Sequence, residues 1–237
     1  MATSNLAPDQ TIATQASALC DRLRHDLLQG WLKPGRKLPL KFLMEHYQAG
    51  QTPIREALNR LASEGLVEFR DQRGFTVTGI SEAELRELNQ TRCWLEERAL
   101  RETMRNRTRE WEEGLVLAWH RLQRTKRSLS DAPFESNPDW DRLHAAFHRQ
   151  LISACGSRWL LAYCEQQSSL LYRYRQLAVR KAYPSRNVQA EHEGIMQAAI
   201  DGDEDTAVSR LLAHYRATAD IILNDPHALE RASEPEG

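Results

Sequence analysis

The chain has little that points to a membrane, a secretory route or an oxidising compartment. No run approaches about 18 consecutive apolar residues, so no stretch is long enough to span a bilayer as a helix. The opening "MATSNLAPDQT" has neither a basic region nor an apolar core, which argues against a secretion signal. Cysteine is scarce. Cys20, Cys93, Cys155 and Cys164 show neither C-x-x-C spacing nor a dense framework, the pattern expected of reduced thiols in a cytoplasmic protein. Catalytic signatures are missing too: there is no G-x-S-x-G, no H-E-x-x-H and no phosphate-binding loop. "AEHEG" sets a carboxylate beside a histidine, but no second histidine follows at the spacing a zinc hydrolase needs. No internal repeat or low-complexity segment occurs.

What is present is an ordinary folded composition, with 41% hydrophobic and 27% charged residues in 237, enough for two modest domains. The net charge of −1 names no polyanionic partner by itself. Residues 1–79 carry 10 Lys/Arg against 8 Asp/Glu and the remainder 22 against 25, so the amino-terminal third is slightly basic.

Local patterns divide the chain further, into a leader over 1–9, a first domain over 10–79, a second over 80–224 and a flexible tail over 225–237. In "ASALCDRLRHDLLQG", Leu19, Leu23, Leu27 and Leu28 repeat at the helical period and Gly30 ends the run. "KPGRKL" makes a turn and "LKFLMEHY" a second short helix. In "TPIREALNRLASEG" the expectation is Thr52 as N-cap, Pro53 at the first helical position and Gly65 past the end, with Ile54, Leu58 and Leu61 inward. "LVEFR" and "FTVTG" alternate on either side of "DQRG", as a hairpin does. Helix, turn, capped helix and hairpin follow the order of a winged helix-turn-helix. Gln51, Thr52 and Arg55 then stand near a DNA groove, with Lys41 one helix earlier and Arg73 at the hairpin tip. A three-helix unit that binds protein is the alternative at this point.

The segment "GWLKPGRKLPLKFLMEHYQAGQTPIREALNRLASEGLVEFRDQRGFTV" resembles the DNA-binding domain of GntR-family bacterial transcription regulators. The shared features are P-G before the short helix, T-P-I-R-E-A-L in the recognition helix, E-G-L-V after it and R-G at the wing. The resemblance implies that Lys41, Gln51, Thr52, Arg55 and Arg73 face DNA and that Gly74 lets the wing into the minor groove. The family usually carries arginine where this chain has Gln51. Arginine pairs with guanine and glutamine with adenine, so the half-site is expected to differ at that base.

From Ser81 onward strand signals vanish. Ser81 followed by Glu84 is a capping-box pattern, and helical stretches recur near 139–154, 157–181, 186–201 and 204–223, broken at Gly156, Pro184 and Gly202. The expected class is mainly α, a winged helix-turn-helix followed by an all-α bundle of six to seven helices. His144 and His148 lie at i and i+4, on one helix face. His192 and His214 sit near the apolar stripes of later helices. Imidazoles on facing helices are a common way to build a zinc site, although a lone helical histidine is usually solvated or a satisfied core residue. His25, His46, His120 and His227 carry no assigned role.

"TRCWLEERAL", "LHAAFHRQLISACGS", "EHEGIMQAAIDGDEDTA" and "LLAHY" resemble the FCD ligand-binding domain of FadR-type GntR regulators, closest to the carbon-starvation-induced, glutarate-sensing branch. The resemblance places the domain's R-x-x-x-E on Arg92 and Glu96 and its metal-binding histidines on His148, His192 and His214. The aspartate that family members carry four residues before the first histidine is here His144, which is expected as the fourth ligand; Asp141, a turn further off, is the alternative. A set without that carboxylate favours zinc or nickel over manganese or magnesium. Effectors of the family are mostly small organic acids, so a mono- or dicarboxylate is expected, with Arg92 as the pocket cation and Arg173 and Arg175 as further lining. The resulting expectation is a cytoplasmic homodimeric repressor on a near-palindromic operator, released by a carboxylate bound beside zinc and without a membrane partner. A regulator answering to metal alone and a metal-dependent hydrolase are the alternatives.

Overall fold

A computed structural model describes residues 15–130, 134–183, 185–225, 227 and 229. The proposed leader and Pro184 lie outside these residues, as does most of the proposed tail. The chain divides into two compact units, Met1–Gly79 and Ile80–Gly237. Among the described residues there are nine helices and one two-stranded sheet.

In the first unit, α1 (Gln15–Leu28) lays Leu19, Leu23 and Leu27 against Ile54, Ala57, Leu58 and Leu61 of α3 (Gln51–Ser63), and all seven are buried. Arg24 of α1 forks onto Glu64 just past α3, with N–O distances of 2.9 and 2.7 Å, tying the two helices together. The short α2 (Leu40–Tyr47) ends at Gln48, whose φ of 53° is left-handed, and three residues later α3 begins. Here the structure corrects the sequence reading. Gly50, not Thr52, is the N-cap: its carbonyl already accepts the Ile54 N–H at 3.3 Å, so Gln51 is the first helical residue. Pro53 falls third and is tolerated because first-turn N–H groups lack intrahelical partners anyway.

Strands β1 (Val67–Arg70) and β2 (Gly74–Val77) pair antiparallel from Val67↔Val77 to Arg70↔Gly74. Alternation sends Phe75 and Val77 into the core and Thr76 outward. The segment before α2 extends this pairing, with the Leu38 N–H donating to the Phe75 carbonyl at 2.8 Å and the Val77 N–H to the Arg36 carbonyl at 2.9 Å.

The second unit is a bundle of α4 (Glu82–Arg105), α5 (Arg109–Gln123), α6 (Pro138–Leu151), α7 (Arg158–Ala182), α8 (Val188–Asp201) and α9 (Glu204–Leu223). Each helix starts where Ser, Thr, Asn or Asp can accept a first-turn N–H: Ser81, Thr108, Asn137, Ser157, Asn187 and Asp203 all do so. At Ser81 only half of the capping box forms. The Glu84 N–H bonds the Ser81 hydroxyl, whereas the Ser81 N–H goes to the Tyr174 hydroxyl at 3.0 Å and the Glu84 carboxylate takes the Tyr174 proton. Leu100, Leu115, Phe147, Leu151, Ile195 and Leu211 form the main core, and a smaller cluster joins Leu85, Leu171, Ala178 and Ile222. The helix pairs α8–α9, α4–α9 and α5–α6 pack side by side, which sets inward-facing residues of α6, α8 and α9 around one point.

Candidate metal centre and nucleic-acid interface

That point is filled by imidazoles. His144 and His148 come from α6, His192 from α8 and His214 from α9, each at most 8% exposed. One nitrogen from each ring lies within 4.8 Å of the others. The His148 Nε2 atom is 3.2 Å from His144 Nε2 and 3.1 Å from His192 Nε2. Burial holds all four below the usual imidazole range. Neighbouring imidazoles reinforce the shift at His144, His148 and His192, while at His214 the charge of Arg186 does so and Glu191 partly opposes it. Four neutral rings thus share one buried space.

The outward-facing nitrogens of His214 and His148 are held. His214 Nδ1 lies 2.7 Å from a Glu191 oxygen, which can only accept, so the proton sits on Nδ1 and the Nε2 lone pair is bare. Arg186 anchors Glu191 through two bonds of 2.8 and 2.6 Å. On the other side the Tyr215 hydroxyl donates to Glu96, and Arg92 Nε donates to the same carboxylate at 2.6 Å. With its proton committed, the Tyr215 oxygen accepts from His148 Nδ1 at 3.0 Å, which leaves His148 Nε2 free to ligate. Imidazoles fixed in this tautomer by outer partners are what divalent metal sites require. The donor set therefore fits such an ion.

Other candidate residues fall differently. Asp141 is one turn too far along α6 and does not join the cluster: Tyr172, Arg175 and Gln176 donate to it at 2.5, 2.6 and 2.9 Å. Burial alone would raise this carboxyl, but Arg175 and those hydrogen bonds outweigh it and hold it below the usual value. Arg173 is turned toward Glu84, 4.0 Å away, and does not line the cavities that touch the imidazoles; alternate positions on α7 point to different sides. Arg175 lines two of them. A cavity of ≈ 30 Å³ is bounded by Arg92, His144, Arg175, His214 and Tyr215, and one of ≈ 20 Å³ by Arg127, Trp140, His144 and Arg186. Glu96, 2% exposed, accepts from Arg92 and from Tyr215. The sequence reading overlooked Tyr215, Glu191 and Arg186 as orienting groups. Two of them are chain neighbours of clustered histidines, but adjacency does not reveal which way a side chain turns.

In the first unit Lys41, Gln51, Thr52, Arg55 and Arg73 are all exposed. No side chain caps α3, so its leading N–H groups face outward with the positive end of the helix dipole. Arg55, Arg73 and Gly74 line a single groove of ≈ 220 Å³ between α3 and the wing, and Lys37, which the sequence reading did not single out, adds a third cation. Gly74 has a φ of +76° with nothing within 4 Å of a would-be Cβ, so glycine is there for the turn and leaves the wing tip slim.

A winged helix-turn-helix with a cationic groove, joined in one chain to a helical domain built around a buried imidazole cluster, is the plan of a transcription regulator. Residues 15–77 match the bacterial regulatory proteins of the gntR family and residues 87–217 the FCD domain, and the chain belongs to this family of transcriptional regulators. It is 32% identical over 215 residues to the uncharacterized HTH-type transcriptional regulator BphR of Paraburkholderia xenovorans (strain LB400), covering 91% of this chain and 88% of that one. It is 29% identical over 204 residues to the HTH-type transcriptional repressor GlaR of Escherichia coli (strain K12), covering 84% and 92%. Among solved structures, E. coli McbR/YncC shares the fold with a TM-score of 0.69 at 22% identity, over 88% of this chain and 97% of that one. The families and relatives matched are regulators, not enzymes.

Proposed function

We propose that this regulator is a repressor whose operator binding is controlled by a small carboxylate held beside a divalent metal, with His144, His148, His192 and His214 as the ligands. The observation that carries the reading is the convergence of the cluster: one nitrogen from each of the four rings lies within 4.8 Å of the others, while Glu191 and Tyr215 hold the Nδ1 sides of His214 and His148. Nitrogen donors without a carboxylate favour zinc, with nickel next. Such an ion, when bound, keeps its full charge among neutral ligands and offers it to an anionic effector. The protein's own part is to keep the rings neutral and aligned and to exclude water from around them.

Repression is supported by the relative named as a repressor, and DNA binding by the groove of Lys37, Arg55 and Arg73. A homodimer on a near-palindromic operator fits the exposed aromatics Trp94, Trp159 and Tyr163, 64%, 63% and 53% exposed on the packed pair α4 and α7, since isolated monomers rarely present several large aromatics to water. Effector control then requires that the ligand prefer the arrangement that does not match the operator.

One observation favours a second reading, a regulator answering to metal alone: the cavities touching several imidazoles measure only ≈ 20 and ≈ 30 Å³, room for about one water each. A single experiment separates the two. Operator DNA obtained by binding-site selection is titrated with metal-loaded protein, with and without organic acids, alongside His148→Ala. Release by an acid only in metal-loaded wild type supports the first reading. Release on metal addition alone supports the second. Negligible metal in both proteins removes the site.

A further inference from the structure

A cleft of ≈ 500 Å³ opens where the end of α5, the start of α6 and the start of α8 meet, with Trp119, Trp140, Val188 and His192 in its lining. Its volume is that of a small-molecule site, whereas the cavities around Arg92 hold little more than a water. The segment after α5 contributes Arg124, Lys126 and Arg127. Arg127 is unlike the other two. Its Nε is buried with no hydrogen-bond partner, its guanidinium lies 5.4 Å from the Trp140 ring centre, and it lines both this cleft and the small cavity reaching His144 and His214.

Arg127 stands apart from the other guanidiniums around the site. Three guanidiniums, Arg127, Arg175 and Arg186, stand near two carboxylates, Asp141 and Glu191. Arg175 is paired with Asp141 at 2.6 Å, and Arg186 holds Glu191 at 2.6 Å. Arg92 is matched by Glu96. Among the described residues no carboxylate pairs with Arg127. Burial, and then the charges of Arg175 and Arg186, lower it to about 10, so it remains a cation at neutral pH. A desolvated guanidinium beside an apolar wall and without a counter-ion is costly unless an anion completes it.

We propose that Arg127 is the charge-reading residue of the effector site, and that the cleft takes an organic carboxylate whose carbon body lies against Trp119, Trp140 and Val188. The inference rests on the reading of this protein as carboxylate-controlled, and moves the recognising cation from Arg92, which Glu96 already neutralises, to Arg127. A carboxylate accepts two parallel bonds from a guanidinium, the indole rings and Val188 cover an apolar body, and the exposed Arg124 and Lys126 draw anions toward the mouth. The uncharged amide of the same acid lacks the charge that Arg127 needs and is rejected.

The full-length, metal-loaded protein is titrated by calorimetry and thermal shift with glutarate and benzoate, and with glutaramide and benzamide, in wild type, Arg127→Met, Arg127→Lys and His148→Ala. At least one acid is expected to bind wild type and its amide not, with affinity reduced tenfold or more in Arg127→Met and less in Arg127→Lys. Without ligand, Arg127→Met is expected to melt at the same temperature as wild type or higher, because no ion pair is removed and the apolar side chain still packs against Trp140. Undiminished acid binding in Arg127→Met, or a marked drop in its ligand-free melting temperature, overturns the inference and leaves carboxylate control of the operator intact. If neither acid binds wild type, the inference falls; operator release by some other acid would then show that carboxylate control itself survives. Acid binding abolished in Arg127→Met but kept in His148→Ala upholds the cleft and refutes only its coupling to a metal.

Discussion

The Tyr215 hydroxyl lies 3.0 Å from His148 Nδ1 and gives its own proton to Glu96, so one phenol sets the tautomer of a histidine at the centre of the imidazole cluster. Removing that oxygen frees the ring to take the other tautomer. Tyr215→Phe is expected to keep the fold, since the ring's packing is retained, and to lose about 10–100-fold in zinc affinity. Competition with a chromophoric chelator measures it; unchanged affinity would detach Tyr215 from the metal reading.

Asp141 serves stability rather than ligation. Its pairing with Arg175 is mostly buried, at 11% and 14% side-chain exposure, so Asp141→Asn strands a cation and should cost about 3–5 kcal/mol at neutral pH, read from urea melts. The folded carboxyl sits below its usual value, so its contribution is present above about pH 4 and is lost as pH falls through the folded value. The gap between wild type and variant should therefore narrow in acid. A gap that widens below about pH 4 would contradict the assignment.

At the start of α3, Gln51 is exposed in the first helical position. Gln51→Arg is expected to move the preference at one base of each half-site from adenine to guanine, a discrimination of about 1–3 kcal/mol. Selection from a randomised library with both proteins shows it directly, and identical consensus sites would count against recognition by residue 51.

Lys37, Arg55 and Arg73 share the groove beside the wing. Neutralising Lys37 or Arg73 should weaken binding to all sequences alike and make the salt dependence shallower by about one unit for each phosphate no longer neutralised. Equal slopes for Lys37→Ala and wild type would place Lys37 away from the DNA backbone.

Both units were legible where a property belongs to one element. Leu19, Leu23 and Leu27 of α1 and the alternating Phe75 and Val77 of β2 announce themselves by period, and the cap Ser81 marks the start of α4. The boundary of α3 was misread by two residues, because Thr52-Pro53 looks like a cap and a first turn. The backbone instead begins its ladder at Gly50, where the left-handed Gln48 has already turned the chain. The four histidines could be named from their motifs, but nothing local distinguishes Arg173, turned toward Glu84, from Arg175, two residues on and beside the cluster.

The order of residues alone determined the class of each element, the helical period of each core face and which histidines were candidates for a shared site, because these depend on residue type and on interactions a few positions apart. Packing of α6, α8 and α9 decided that four imidazoles share one space, the contact of α7 with α6 that Asp141 is captured by Arg175, and the path of the chain after α5 that Arg127 has no carboxylate partner among the described residues. Those outcomes depend on distances between residues far apart in the chain, and only the folded bundle sets them.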